Sequence, residues 1–330
     1  MPRIRASTHF SPPNANSIRR DGGAATGSAI SPRCAADMAC LSTAQVLAAA
    51  AVLQARAGAD ASAWNARVAA ACLRHGGATG VCLLQALGTR PGRSLLRLLE
   101  YTMLPGITAH YAWRKRRIRA WAERTCAGGT RQVLILGAGF DGLGAELADG
   151  AARPRVYEVD LAPTIALKRR ALASLGFAQP RLHFVACDLA QAALPAALAG
   201  APQFDPHAAT LVIAEGVLMY LPIPAAIGLL QGLAGLLRQA RCIATAMQAG
   251  ADGRADFALA RPWLRPWLRC NGEPFRWGCS RAALPATLLR AGLAVDSVAD
   301  PDTADDPDPC PGEWLFAGAL LPGPRPAAGR

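Results

Sequence analysis

At 330 residues the chain is long enough for one large domain or two, and 35 Lys+Arg against 23 Asp+Glu give a formal charge of +12 with a pI near 9.8. A surplus of that size raises nucleic acid as a partner. Arginine carries nearly all of it, however, Lys115 and Lys168 being the only lysines, and the arginines are scattered through an Ala-, Gly- and Pro-rich chain. The pattern reflects coding-DNA base composition and argues against nucleic-acid binding. Ten cysteines form no C-x-x-C pair, and none has a histidine at zinc spacing. That excludes a Cys/His zinc module and fits a reduced, cytoplasmic setting.

Residues 1–40 mix Pro, Ser, Asn, Gly and Ala without periodicity and read as a disordered arm, with arginines but no apolar core of a signal peptide. Helical pattern begins near Thr43 and runs to Arg56; Gly58 breaks it, and Ser62 can cap a second helix to about Arg74, ended by His75-Gly-Gly77. After the Pro91-Gly92 turn a helix is predicted from Ser94 to Met103. Pro105-Gly106 then introduces a helix from Ile107, on which Arg114 shares a face with Ile118, Trp121, Ala122 and Thr125. A guanidinium on an apolar face needs an anionic partner, from the protein or from a ligand. Arg116, Arg119 and Glu123 lie on another side and read as a solvated face.

The informative stretch follows. Val133 to Leu136 is a short buried strand, Gly137-Ala-Gly139-Phe-Asp141-Gly142 a glycine turn, and a second strand ends at Asp160, about 20 residues on, where a carboxylate can bind both hydroxyls of a ribose. Thr164 to Leu175 reads as a helix, Leu182 to Asp188 as a third strand, and Thr210 to Glu215 as a fourth. A helix from Ala225 to Leu237 follows, then strands at Cys242–Met247, Leu293–Ala299 and, after an Asp/Pro-rich loop, Trp314–Leu321. The mostly apolar stretch from Ala208 to Leu237 is interrupted by Glu215, Pro222 and Pro224, so it reads as strand, loop and helix, not as a membrane span. Strands alternating with helices imply an α/β fold with a doubly wound, mostly parallel sheet whose ligand sits at the carboxyl ends of the strands. Asp141, Asp160, Asp188 and Glu215 all fall on that edge. The tandem Arg261-Pro-Trp-Leu264 and Arg265-Pro-Trp-Leu268, with Trp263 and Trp267, can line a cleft or anchor a loop.

The turn matches the dinucleotide pattern G-x-G-x-x-G, which points to NAD(P) chemistry, but Asp141 would repel a pyrophosphate and the acid-rich edge suits a cationic, amine-bearing ligand. Acid-rich strand ends plus one inward arginine match S-adenosyl-L-methionine, with its sulfonium, ammonium, carboxylate and ribose.

Leu134-Ile-Leu-Gly-Ala-Gly-Phe-Asp141, Tyr157-Glu-Val-Asp160-Leu, Lys168-Arg-Arg, Ala186-Cys-Asp188-Leu189 and Ile213-Ala-Glu215-Gly-Val-Leu-Met-Tyr220-Leu-Pro222 resemble the leucine carboxyl methyltransferase family, with its bacterial O-methyltransferases of polyketide-type metabolites, over roughly residues 107–247. The resemblance implies a seven-stranded class I methyltransferase sheet, Rossmann-like, with a reversed last strand and a helical N-terminal cover. The division it implies is a cover at 41–127, a methyltransferase domain at 128–322 with a Trp/Pro-rich insertion at about 250–282, and a disordered tail at 323–330. It further implies Arg114 on the methionine carboxylate, Gly137, Gly139 and Asp141 along the methionine part, Asp160 on the ribose, and Asp188 with Leu189 around the adenine. Glu215 would stand near the ammonium and the transfer site, and Tyr220 on the substrate side. Gly142, where the family has threonine, and Glu146, where a basic residue is looked for, depart from it and leave open a non-catalytic binding relative. Lys168 reads as surface, and Asp188 alternatively as a local cap. The acceptor is a small molecule presenting a carboxylate or a hydroxyl; no general base or metal cluster is evident, which leans towards the carboxylate, already ionised at pH 7.

Overall fold

The computed structural model describes residues 41–56, 63–191, 193–250, 252–299 and 308–322. The arm at 1–40, the break at Gly58, the cap at Ser62, most of the Asp/Pro-rich loop and the tail at 323–330 lie outside the described residues.

Among the described residues five helices precede the first strand: α1 Thr43–Arg56, α2 Ala63–His75, α3 Gly77–Gly88, α4 Arg90–Met103 and α5 Ile107–Ala127. Then come β1 Gln132–Leu136, α6 Leu143–Asp149, β2 Arg155–Asp160, α7 Ala162–Ser174, β3 Leu182–Ala186, α8 Leu194–Ala199 and β4 Thr210–Ala214. The chain continues through α9 Ile223–Leu236, β5 Ala240–Gln248, α10 Leu264–Cys270, β6 Gly278–Cys279, α11 Leu284–Arg290, β7 Leu293–Val298 and β8 Glu313–Leu320. Two differences from the sequence reading concern the cover. Helix α3 is an addition, and α4 starts at Arg90, not Ser94, because the Thr89 hydroxyl accepts the Gly92 N–H at 3.1 Å and Pro91 sits in the first turn, where it sacrifices no hydrogen bond.

The sheet runs β3-β2-β1-β4-β5-β8-β7. Strands β1 to β5 are parallel, and β8 is antiparallel to both β5 and β7. This is the class I methyltransferase arrangement, to which the two-residue β6 adds a short parallel pairing at the end of β5. All five residues of β1 and of β4 are buried, as expected of parallel strands covered on both faces. One face packs against α8, α9 and α11 through Leu134, Tyr157, Leu230 and Leu288, the other against α2, α5, α6 and α7 through Ile135, Val68, Ile118 and Leu172. Strand order reverses between β1 and β4, so the connections leaving these two strands part in opposite directions and open a crevice above them. Helices α1 to α4 form a satellite core, with Ala51, Leu53, Leu73, Leu83 and Leu87, that roofs this crevice.

Candidate active site

The turn after β1 is shaped for close approach. Gly137 and Gly139 take φ of 64° and 46°, which L side chains rarely adopt, and a Cβ on Gly137 would lie 2.5 Å from Val217 Cγ2. Gly139 has no heavy atom closer than 3.9 Å to the position of a Cβ, so the space beside it is open. Its N–H donates to Asp160 Oδ2 at 2.8 Å, which ties the turn to the end of β2. Asp141 turns one oxygen inward, accepting the Leu143 N–H at 2.8 Å at the start of α6, and pairs through the other with Lys115.

Gly142 has ordinary backbone angles and is required for a different reason. A Cβ there would lie 2.7 Å from both Asn65 Cα and Trp64 O, because the start of α2 presses on the turn. Its N–H donates to Asn65 Oδ1 at 3.2 Å. Glu146 lies 3.2 Å from Arg119 Nε, so an acid on α6 meets a base on α5.

Helix α5 delivers a run of charge beneath the cover. His110 and Arg114, one turn apart, reach the same carboxylate: Glu313, the first residue of β8, accepts from His110 Nε2 at 3.0 Å and from Arg114 Nη1 at 2.7 Å. Arg114 Nε donates to Glu215 at 2.8 Å, and Lys115 Nζ donates to the other Glu215 oxygen at 2.6 Å. His110 Nδ1 lies 2.7 Å from Asp308. Burial opposes ionisation of Glu313, yet Arg114 and His110 outweigh it and hold the carboxyl down to about 2. Burial likewise opposes ionisation of Glu215, where Lys115 and Arg114 prevail and keep it below the usual carboxylate value. For His110 burial is overcome by Asp308 and Glu313, and its pKa is raised. Lys115 goes the other way: burial, aided by the neighbouring Arg114, outweighs Glu215 and brings the ammonium down to about 8. Arg114 therefore has protein carboxylates as its anionic partners, the internal ion pair that its apolar helix face left open.

A second ion pair lies beneath the turn. Lys168 is 1% exposed, with Nζ 2.8 Å from Glu158 and donating to Ala138 O at 3.1 Å. The surface assignment of Lys168 is thus corrected: its stem runs inward from α7, and its charge is compensated by an acid at the centre of β2.

Arg114, Gly137, Gly139, Asp141, Asp160, Asp188, Leu189, Glu215 and Tyr220 all line one cavity of about 1680 Å³. Asp188 is exposed at its rim, and one oxygen accepts the Ala190 N–H at 2.9 Å, the local cap reading. Tyr220 stacks on Phe275, ring centroids 5.7 Å apart, and burial followed by Glu273 raises its hydroxyl pKa. Of the tandem tryptophans, Trp267 lines the cavity while Trp263 is 67% exposed. Four residues that the sequence reading did not assign to the site belong to its frame: Lys115, Glu313, His110 and Asn65. The spacing of His110 and Arg114 on one helix face was the available signal; Glu313, 199 residues from Arg114, offered none.

The family model for leucine carboxyl methyltransferase matches residues 44–234, more than half of the chain. A protein of Mycolicibacterium smegmatis provisionally named S-adenosyl-L-methionine-dependent methyltransferase is 32% identical over 221 residues, covering 57% of this chain and 69% of that one. One of Mycolicibacterium paratuberculosis with a similar name is 40% identical over 115 residues, but the match spans only 37% of its length and 34% of this chain. Among solved structures, a Thermobifida fusca protein described provisionally as a methyltransferase superposes with a TM-score of 0.55 at 15% identity, covering 89% of this chain and 100% of that one.

Proposed function

The chain belongs to the leucine carboxyl methyltransferase family, a family of S-adenosylmethionine-dependent methyltransferases, and from that premise we propose that it transfers the methyl group to an oxygen of a small-molecule acceptor, a carboxylate or a hydroxyl. The observation that carries this reading is the single cavity into which the bare glycine turn, the acids ending β2 and β4, and the paired cations of α5 all open.

The residues fit the cofactor. The open space beside Gly139 leaves backbone within reach of a ligand, and the carboxylates of Asp141, Asp160 and Glu215 line the same cavity, which suits a ligand of net positive charge. Asp160, at the end of β2, is the residue for the ribose hydroxyls; Asp188 and Leu189, at the rim, are those for the adenine. Arg114 and Lys115 supply cations for the methionine carboxylate, and Glu215 with Asp141 supplies anions for the ammonium. When bound, S-adenosylmethionine supplies an electrophilic methyl group on a sulfonium, open to in-line displacement. What the chain contributes is position: alignment of two reactants in one cavity supplies about 7–11 kcal/mol in favourable cases. To Tyr220, which stacks on Phe275 and lines the cavity, we assign a place on the acceptor side of Glu215.

The oxidoreductase alternative is not favoured. Gly142 completes the dinucleotide pattern, but its N–H is taken by Asn65, and Asp141 occupies the helix start where a pyrophosphate would bind. Equilibrium titration with S-adenosylhomocysteine is the test. Saturable binding is expected, weakened at least tenfold by Glu215→Gln; no binding to the folded protein would sink the reading. Turnover of labelled S-adenosylmethionine then separates an enzyme from a non-catalytic relative.

A further inference from the structure

The cavity is larger than the cofactor reading uses. At about 1680 Å³ it exceeds the roughly 300–1,000 Å³ that a drug-sized ligand fills. Its excess lies under the helical cover, between α1, α3 and α4 and the segment around α10. The walls there are mostly aliphatic and aromatic, with Val46 and Leu47 from α1, Leu83 from α3, Leu99 from α4, and Trp267 and Phe275 from the segment around α10, where Glu273 adds a further carboxylate. Val46 and Leu99 are half-buried and line this space.

Charge is distributed unevenly along it. In the part formed by α1, α3 and α4 the lone charged lining residue among those described is Glu100, whose carboxylate accepts from Thr108 N at 3.1 Å and Thr108 Oγ1 at 2.7 Å. The cations that line the cavity, Arg114 and Lys115, both stand at the glycine-turn end and are paired with Glu215, Glu313 and Asp141. At that end Arg114, Lys115 and a protonated His110 face Asp141, Asp160, Glu215, Glu313 and Asp308, which leaves two negative charges in excess. A cofactor of net charge +1 offsets one of them and leaves the site net negative. A further anion would then be buried without a partner, and that is costly.

We infer that the acceptor is an uncharged molecule with an extended apolar body, lodged under the helical cover, and that its reacting group enters as a neutral hydroxyl, not as an ionised carboxylate. This rests on the methyltransferase reading above and deepens it. It reverses the lean towards carboxyl transfer, because the charges that surround the transfer point were not visible as a set in the sequence. In the transfer the acceptor O–H bond breaks, its proton passing to solvent, the S–CH3 bond breaks, and the O–CH3 bond forms, giving a methyl ether and the neutral thioether.

The test is displacement of the neutral dye Nile red from protein saturated with sinefungin, a non-reactive analogue that keeps a positive charge in place of the sulfonium, using straight-chain alkanols of six to twelve carbons and the carboxylates of the same lengths at pH 8. Alkanols should displace the dye, tightening about two- to fourfold per added methylene, with each carboxylate at least tenfold weaker than its alkanol. Leu99→Lys and Val46→Lys, at half-buried positions the fold should tolerate, should each weaken dye binding at least tenfold and leave S-adenosylhomocysteine affinity within twofold. An absent chain-length trend, carboxylates binding as well as alkanols, or unchanged dye affinity in both variants would overturn the inference. If neither variant folds, the wild-type series decides. S-adenosylhomocysteine affinity, measured separately, reports on the methyltransferase reading, so the two can fail independently.

Discussion

Two clusters of buried charge lie on opposite sides of one glycine turn, and they differ in a single respect. Below it, Glu158 and Lys168 are each 1% exposed, and neither lines the cavity. Above it, Arg114, Lys115 and Glu215 are nearly as buried, yet all three line it. The lower pair holds the turn in place, Lys168 gripping Ala138 O while Glu158 packs against Gly144, where a Cβ would collide with it. The upper cluster keeps its charges within reach of a ligand. Burial of charge therefore does not by itself mark a functional site; burial with access does.

Removing one partner from each cluster should break the symmetry of the comparison most visibly. Lys168→Met leaves Glu158 buried and uncompensated, and chemical denaturation should show a loss of about 3–5 kcal/mol. Glu158→Gln added to Lys168→Met should recover most of that loss, since no charge then remains to be solvated. Failure of the double variant to recover would mean that the Ala138 contact, not the ion pair, dominates.

The upper cluster should show itself through pH. Glu313 has its pKa lowered to about 2 from 4.5, with burial opposing and Arg114 and His110 prevailing. A carboxyl whose folded pKa is depressed contributes stability that is present above its unfolded pKa and lost as pH falls through the folded one. Stability should therefore fall between about pH 4.5 and 2, with Glu313 accounting for about 3 kcal/mol of the change. Glu313→Gln should flatten this acid limb, and an unchanged limb would show that the network does not stabilise the fold.

Gly142 probes the contact between the cover and the turn. Gly142→Thr restores the residue that the family resemblance leads one to look for, yet its Cβ would meet the Asn65 and Trp64 backbone at 2.7 Å. The variant should lose about 1–3 kcal/mol and gain no affinity for S-adenosylhomocysteine. Tighter binding would show that α2 yields and that glycine here is a defect.

How far these clusters could be read in the sequence follows from how local their causes are. Strands β1 to β5 and the turn were legible because short β-branched runs between glycines and acids carry their own signal, and the acid edge followed from the fold class. Helix α3 was not legible because Gly76 and Gly77 read as the end of a helix and nothing local marked the restart, in which Gly80 is a packing residue set against the Leu73 carbonyl. Lys168 was misplaced because a lysine counts as surface until its partner is known, and Glu158 lies on a strand that only the fold brings alongside. The reach of Arg114 to Glu313, 199 residues away, had no local trace. The apolar chamber is a property of helix packing, so its composition could be read but its shape could not.

Lys115 gives the smallest expected effect and the finest division between the clusters. Unlike Lys168 it keeps access to the cavity, and its pKa is lowered to about 8 from 10.5 because burial and Arg114 together outweigh Glu215. A lysine with a depressed folded pKa burdens the fold while it is charged: below pH 8 the full cost is present, and it is relieved as pH rises from 8 towards 10.5. Lys115→Met removes that cost together with the contacts to Asp141 and Glu215, and Glu215 retains Arg114. The two changes oppose each other, so stability at pH 7 should alter by less than about 1 kcal/mol, against the several lost in Lys168→Met. Between pH 8 and 10 the wild type should gain stability relative to Lys115→Met. A variant that instead unfolds as readily as Lys168→Met would place Lys115 among the structural charges and remove the distinction between the two sides of the turn.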